Sequence, residues 1–155
     1  MIKTSDIYRS FRKLLESNFE NIPVQIKDIK NPKPPCIYIK YIGGTDSQTA
    51  DQYTTSNISF DIIYFSGDET LKDLLSVENV FKKIFKKPVK IEVLGNGNIE
   101  QTVYNEIDSI STSLDEDDYI LHCMLSLAVN QLIPEAETNK YDEYDNNELM
   151  EELEI

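Results

Sequence analysis

Few side chains in this sequence could take part in a chemical reaction. The chain has one histidine, His122, and two cysteines, Cys36 and Cys123. A Ser-His-Asp triad needs its histidine beside an activated serine, and the sequence has no G-x-S-x-G motif that would expose one. His122 lies within a predicted strand, so we interpret it as a structural or interface histidine. We assign no catalytic residue and predict that the protein is not an enzyme.

The residues that could bind a metal ion are poorly arranged for it. Cys36, His122 and Cys123 are ligand types that zinc prefers. His122 and Cys123 are consecutive in a predicted strand and point to opposite faces, so they cannot share one ion simply. The acidic run at 115–118 lacks the alternating oxygen ligands and the glycine of a calcium loop, and we interpret it as a solvated turn. We predict no metal site and two buried free thiols, as in a reducing compartment.

The glycine-rich stretch Gly95-Asn96-Gly97-Asn98 is a turn signal between two predicted strands. A phosphate-binding loop would be followed by a helix and by a Lys-Ser/Thr pair, and neither follows here. We therefore expect no cofactor.

The one basic cluster of the sequence admits two interpretations. It follows the apolar residues of a predicted helix and comprises Lys82, Lys83, Lys86, Lys87 and Lys90. Cations in the last turns of a helix offset its negative end, which is a purely structural role. The cluster could instead bind an acidic surface on another subunit, and this chain has such a surface in its C-terminal part. Both interpretations stay open.

Composition and charge narrow the class of protein. The chain has 155 residues, of which 40% are hydrophobic and 28% charged, and its net charge is −13. This predicts a single globular domain, and the negative charge argues against a nucleic-acid-binding surface. No apolar run reaches the length of a membrane span, and the first residues lack the features of a secretory signal, so we expect no membrane association.

The charge is concentrated at one end. Residues 134–155 contain nine acidic residues and one lysine, a net charge of −8, whereas residues 1–133 have a net charge of −5. We predict a domain over 1–133 and an acidic tail over 134–155. Polar and acidic composition favours disorder in the tail, but Leu149, Met150 and Leu153 have helical spacing. The tail either docks on a neighbour as a short helix or remains a disordered solubilising segment.

Hydrophobic periodicity predicts the elements that position these residues. In chain order they are a helix over 5–19, strands over 24–27, 36–42 and 54–65, a helix from the Ser66-x-x-Glu69 capping box to before Pro88, and strands over 89–94, 99–114 and 119–133. The apolar phase shifts between Ile107 and Ile110, which indicates a bulge or a bend. The order α-β-β-β-α-β-β-β predicts an α+β fold with a single, mostly antiparallel sheet, two helices packed on one face and the acidic C-terminal tail.

Two features of this pattern indicate contacts with other subunits. Gly43 and Gly44 interrupt the second strand, and the small polar residues that follow predict an exposed loop up to Tyr53. The last strand is about 45 Å long, which is more than a small domain needs. We expect the loop to become ordered at an interface and the strand to pair with a neighbour.

The strands carry a set of motifs whose order and spacing resemble the phage tail terminator family. The matching residues are Pro35-Cys36-Ile37-Tyr38-Ile39, Tyr53, Ser59-Phe60-Asp61-Ile62-Ile63-Tyr64-Phe65 and Ile120-Leu121-His122. The resemblance implies a structural tail-completion, or collar, protein of a tailed phage or of a phage-like contractile particle (tailocin, bacteriocin). Such proteins form a hexameric ring that caps the tail tube and contacts the sheath or the head-tail connector. The acidic tail is outside this pattern.

This resemblance implies a set of residues that take part in assembly, and two alternative functions stay open beside it. The expected subunit or tube interface comprises Gly43, Gly44, Thr45, Asp46, Tyr53, Lys82, Lys83, Lys86, Lys87 and His122, and the tail would dock through Leu149, Met150 and Leu153. We expect assembly in the host cytoplasm and a final place at the head-proximal end of the tail. The alternatives are another neck or baseplate component, such as a head-tail connector, and, from another class, a small hydrolase.

Overall fold

The computed structural model describes residues 2–26, 30–50 and 53–132. Its elements, in chain order, are α1 (Thr4–Asn18), β1 (Val24–Gln25), β2 (Cys36–Ala50), β3 (Tyr53–Phe65), α2 (Leu71–Phe85), β4 (Val89–Gly95), β5 (Asn98–Asn105), β6 (Ser109–Asp115) and β7 (Ile120–Leu132). The predicted α+β class is confirmed, with two helices against a mostly antiparallel sheet.

The strands form two sheets where the sequence predicted one. The larger sheet has five strands in the order β1-β2-β3-β7-β6, and β4 and β5 pair separately as a hairpin. Only β1 is parallel to its neighbour. The predicted strand over 99–114 is divided at residues 106–108, so that β5 pairs with β4 and β6 pairs with β7. The shift of apolar phase between Ile107 and Ile110 thus marks the passage of the chain from one sheet to the other.

The core lies between the helices and one face of the larger sheet. Phe60, in the middle of β3, is fully buried. Its ring centroid lies 5.2 Å from that of Tyr8, 5.1 Å from that of Phe11 and 5.3 Å from that of Tyr41. Edge-on and tilted ring pairs of this kind are the favoured aromatic geometry. Phe60 therefore joins β3 to α1 and to β2.

The first turn of α1 also connects the helix to the second sheet. Asp6 is completely buried, and its Oδ2 accepts a hydrogen bond of 2.9 Å from the backbone N–H of Lys3. Its Oδ1 accepts from Arg9 and, at 3.4 Å, from the backbone N–H of Leu94 in β4. The N-cap is Lys3 rather than the predicted Thr4 or Ser5. Asp6 is the third residue of α1, and its carboxylate caps the helix by accepting the hydrogen bond from the N–H of Lys3.

The start of α2 lies one turn later than the sequence predicted. Thr70 is the N-cap, and its side chain accepts a hydrogen bond of 3.1 Å from the N–H of Asp73. Ser66 accepts from the N–H of Glu69 at 3.2 Å, so the predicted Ser66-x-x-Glu69 contact exists in part. It closes the turn before the helix and does not cap the helix. Ser66 also donates to the carboxylate of Asp73 at 2.6 Å, which ties that turn to α2.

The expected exposed loop after Gly43 is wrong, because β2 continues to Ala50. Gly43 has φ +144 and stands at a register shift between β2 and β3, which is a β-bulge. A Cβ at Gly44 would lie 2.8 Å from the carbonyl oxygen of Asn57, so the two backbones approach closely there. The two glycines bend the strand and do not end it, and the polar residues after them pair with β3.

Truncating Phe60 should remove the junction between β3, β2 and α1. Phe60→Ala should lower the free energy of unfolding by about 3–5 kcal/mol, because it loses apolar burial and leaves a cavity. Phe60→Leu should lose less. Ile99→Ala, at a residue that is 56% exposed, should cost less than about 1 kcal/mol. Urea unfolding followed by far-ultraviolet circular dichroism measures all three, and equal losses for Phe60→Ala and Ile99→Ala would contradict this view of the core.

Candidate assembly surface

Three strands of the larger sheet extend together as an exposed arm. We define the arm as residues 43–50 of β2, 53–57 of β3 and 128–132 of β7, which pair along their length with one register shift between Gln48 and Ala50. The described side chains from 44 to 48 are exposed, and those from 53 to 57 are exposed or half-buried. Within β7, Val129 is buried and Asn130 is exposed. The arm therefore presents a mostly polar surface.

Polar side chains connect the strands of the arm. The hydroxyl of Thr55 donates to Asn130 Oδ1 at 2.6 Å, and the hydroxyl of Ser56 donates to Asp46 Oδ1 at 2.6 Å. Cross-strand hydrogen bonds of this type add modestly to sheet stability. They help to hold the arm in register beside Val129, the arm residue that belongs to the apolar core.

The structure brings together five residues that the sequence predicted for an interface. Gly43, Gly44, Thr45 and Asp46 lie in β2, and Tyr53 begins β3. Tyr53 is 51% exposed. These residues thus lie on two paired strands of the arm.

One edge of the arm is the outer side of β2. The short strand β1 pairs with β2 only at Ile37 and Tyr38. Within the ranges that the structure describes, no strand pairs with the outer side of β2 beyond Tyr38. An unpaired strand edge is a ready template for another strand.

His122, a further predicted interface residue, lies on the sheet face opposite the core. Its Nδ1 is 2.8 Å from Oδ2 of Asp61 in β3, and its side chain is 39% exposed. Asp61 is 7% exposed, and its Oδ1 has no hydrogen-bond partner among the described residues. Sequence reasoning missed this pair, because a contact between β3 and β7 depends on strand register.

The Asp61–His122 pair does not form a catalytic triad with the described serines. Ser113 of β6 stands directly opposite His122 in the register. No hydrogen bond between Ser113 and His122 occurs in the described part of the chain, and the pair lies on the face of a sheet. The pair provides a polar contact point, and among the described serines none is hydrogen-bonded to His122.

Both cysteines are buried free thiols, as predicted. Burial is the largest effect on Cys123 and raises its pKa to about 12, and the nearby charge of Asp61 adds to this. Burial also raises the pKa of Cys36. In residues 2–26, 30–50 and 53–132 there is no group of three side chains that could hold a metal ion.

The predicted lysine cluster is divided by the fold. Lys82 lies 3.5 Å from Glu78, one turn earlier in α2, and Lys86 is exposed. Lys83, Lys87 and Lys90 line a groove of about 840 Å³ between α1, the end of α2 and β4. We call this the basic groove.

Two further cations of the basic groove come from α1. Arg9 and Lys13 line it together with the lysines, and sequence reasoning missed them because they are more than sixty residues away in the chain. Glu92 of β4 is its one acidic lining residue, 3.0 Å from Lys13 and 3.5 Å from Lys90. The hydrogen bond from Lys13 holds the pKa of Glu92 below its usual value, and the charge of Lys90 adds to this.

The predicted docking residues Leu149, Met150 and Leu153 lie outside the described residues. In the described part of the chain, no helix is long and apolar enough to cross a membrane.

The comparison with protein families agrees with this architecture. The family described as "Phage tail terminator protein" matches residues 6–139, which is most of the chain. The chain belongs to the phage tail terminator family. This tail terminator is therefore a structural component of the phage tail, and the resemblance seen in the strand motifs is confirmed. No curated protein matches its sequence.

Ionisation of Cys123 should make the terminator less stable at alkaline pH. The unfolded thiol ionises above about pH 8.5, whereas the folded thiol stays protonated to about pH 12, so stability falls as pH rises between the two values. Between about pH 8 and pH 10.5 the wild type should lose on the order of 2 kcal/mol more than Cys123→Ala. Chemical unfolding under reducing conditions measures this difference.

Val129→Ala is the matched control, because Val129 is a buried β7 residue without an ionisable group. Its free energy of unfolding should change with pH by the same amount as that of the wild type. The same pH slope in Cys123→Ala and in the wild type would refute the argument.

Proposed function

We propose that the protein forms a ring, with six subunits, that caps the end of the tail tube and stops its polymerisation. The ring would offer its other side to the sheath or to the head-tail connector. It would assemble in the host cytoplasm and remain at the head-proximal end of the tail as a collar. Membership of the tail terminator family supports this role.

The observation that carries the proposal is the arm. A three-stranded element with exposed sides and an open β2 edge has surface for a neighbour on more than one side. Heterologous contacts, in which different surfaces of two copies meet, close into a ring when the rotation between copies permits. The arm of one subunit against the sheet of the next is such a contact.

The Asp61–His122 pair offers a second contact point for the ring. Oδ1 of Asp61 lacks a hydrogen-bond donor in the described residues, and a buried acceptor without a donor costs free energy. A neighbour that covers this face and supplies a donor would remove the cost. The pair is thus consistent with an interface histidine.

Termination of the tube follows from an asymmetric ring. One side must match the subunits at the tube end, and the opposite side must lack the surface to which the next tube subunit would bind. A mismatch in shape or charge on that opposite side is enough to prevent the next tube subunit from binding.

A charge placed on the arm should block assembly and leave folding intact. Ser47 in the arm and Ser76 in α2 are both exposed serines, so Ser47→Arg and Ser76→Arg add the same charge at similar monomer cost. Ser47→Arg should shift the midpoint for ring formation at least about ten-fold in concentration, whereas Ser76→Arg should not. Mass photometry, with and without the tube protein, measures the ring population.

Electron microscopy of assembled particles provides the second readout. Wild-type protein should give tubes of uniform length with additional density at one end, and Ser47→Arg should give overlong tubes. A wild-type protein that stays monomeric with and without tube protein, and that adds no density to the tube end, would overturn the proposal. Density in the baseplate or within the head connector would assign the protein to another tail component.

A further inference from the structure

The basic groove is an exception on an acidic protein. Five cationic side chains line it, against the one carboxylate of Glu92, on a chain whose net charge is −13. Among the described residues, neither Lys83 nor Lys87 has a carboxylate within ion-pair distance. Arg9 pairs with Asp6, and Lys13 and Lys90 share Glu92, so the excess positive charge of the groove lies on Lys83 and Lys87. This excess charge attracts an acidic ligand.

The groove also has an apolar component. Its wall includes the partly exposed side chains of Leu14, Val80, Ile84 and Leu94. A free phosphate or a nucleotide would not require these contacts. An acidic peptide with a few apolar side chains would use both the cationic and the apolar parts of the lining.

This chain contains a segment of that chemistry. Residues 147–155 read Asn-Glu-Leu-Met-Glu-Glu-Leu-Glu-Ile, with four glutamates and apolar side chains at 149, 150, 153 and 155. Leu149 and Leu153 are four positions apart, so a helical conformation would put them on one face with glutamates beside them. The charge of the whole segment 134–155 is −8, opposite to that of the groove.

We propose that the acidic segment 134–155 docks into the basic groove, with Leu149 and Leu153 on the apolar wall and the glutamates on the lysines. The length of the chain permits this. The residues between Leu132 and Leu149 can span up to about 58 Å when extended, which exceeds the length of either helix more than two-fold. The segment reaches the groove of its own chain or that of an adjacent copy. The inference is independent of ring formation.

Carbodiimide cross-linking of the intact chain tests this proposal, because the reagent joins an amine to a carboxylate only when they touch. In low salt, Lys90 should join to Glu148, Glu151 or Glu152 as well as to Glu92, its neighbour at 3.5 Å, and mass spectrometry separates the two kinds of product. The yield at Lys90 below means the yield of the products with the tail glutamates. The Lys13–Glu92 contact, at 3.0 Å, provides an internal reference for reagent efficiency. The yield at Lys90 should fall steeply in about 1 M salt, where the screening length is about 3 Å.

Charge reversals in the groove provide the decisive variants. The double variant Lys83→Glu/Lys87→Glu should lower the yield at Lys90 about five-fold, because two attractive charges become repulsive. The double variant Lys40→Glu/Lys72→Glu makes the same change in net charge at exposed lysines outside the groove, and should leave the yield unchanged. Leu149→Ser/Leu153→Ser keeps every charge and should lower the yield through the lost apolar contacts.

Mixing isotope-labelled and unlabelled chains identifies the groove that is occupied. Cross-links that join two labelled or two unlabelled peptides indicate the chain's own groove. Cross-links that join a labelled peptide to an unlabelled one indicate an adjacent copy. Either result supports the proposal.

Three results would overturn it. The first is equal yields at Lys40, Lys72 and Lys90. The second is a yield at Lys90 that is the same in the wild type and in the groove variants. The third is groove lysines that join only to the acidic turn at 115–118 of a second copy or to the tube protein.

Discussion

The length of three strands relative to two helices determines much of this structure. Each helix has 15 residues and is therefore about 22 Å long, whereas β3 and β7 have 13 residues each and are about 43 Å long. Helices of this length cannot cover strands of that length. The part of the ribbon outside the core begins at Gly43 in β2 and at Asn57 in β3, whereas the core in β7 extends to Val129. Its residues must tolerate water on their exposed sides. The arm follows from this mismatch.

The residues of β2 and β3 change from apolar to polar where the core ends. Within the core, β3 contributes Phe60 and Ile62, and beyond it the same strand contributes threonine, serine and asparagine. Gly43 and Gly44 mark the same boundary on β2, where the bulge alters the direction of the strand. The core thus fixes the position of the arm, and hydroxyl and amide contacts keep the arm folded.

Helix α1 connects the parts of the molecule. Its apolar side carries Phe11, which contacts Phe60 of the larger sheet. Its first turn carries Asp6, which accepts from Leu94 of the smaller sheet. The basic groove exists because α1 lies beside β4 and the end of α2, so that cations from three separate elements meet there.

Sequence patterns predicted those features that depend on neighbours in the chain. The periodicity of Ile7, Phe11 and Leu15 predicted α1, and the alternation from Leu121 to Val129 predicted β7. Features that depend on pairing between distant segments were missed. The division at residues 106–108 required knowledge of which strand each half would join, and Asp61 and His122 meet only because β3 and β7 align at one register.

The interpretation of residues 45–51 as a loop failed for a related physical reason. Small polar residues have weak strand preferences, and a strand partner overrides such preferences. Partnering with β3 satisfies the backbone groups of β2 there, which composition alone does not reveal. Glycine and short polar side chains are typical of exposed segments whichever backbone they adopt, and the side chains from 44 to 48 are exposed within the strand.

The polar character of the arm has a consequence for the thermodynamics of its contacts. Burial of apolar surface is the main source of a negative heat-capacity change on association. Hydroxyl and amide groups, such as those of Thr55, Ser56 and Asn130, bury little apolar surface when another chain covers them. An association through this arm would have a binding enthalpy that varies little with temperature. Its strength would depend on how completely each hydrogen-bonding group finds a partner, which favours one geometry over many approximate ones.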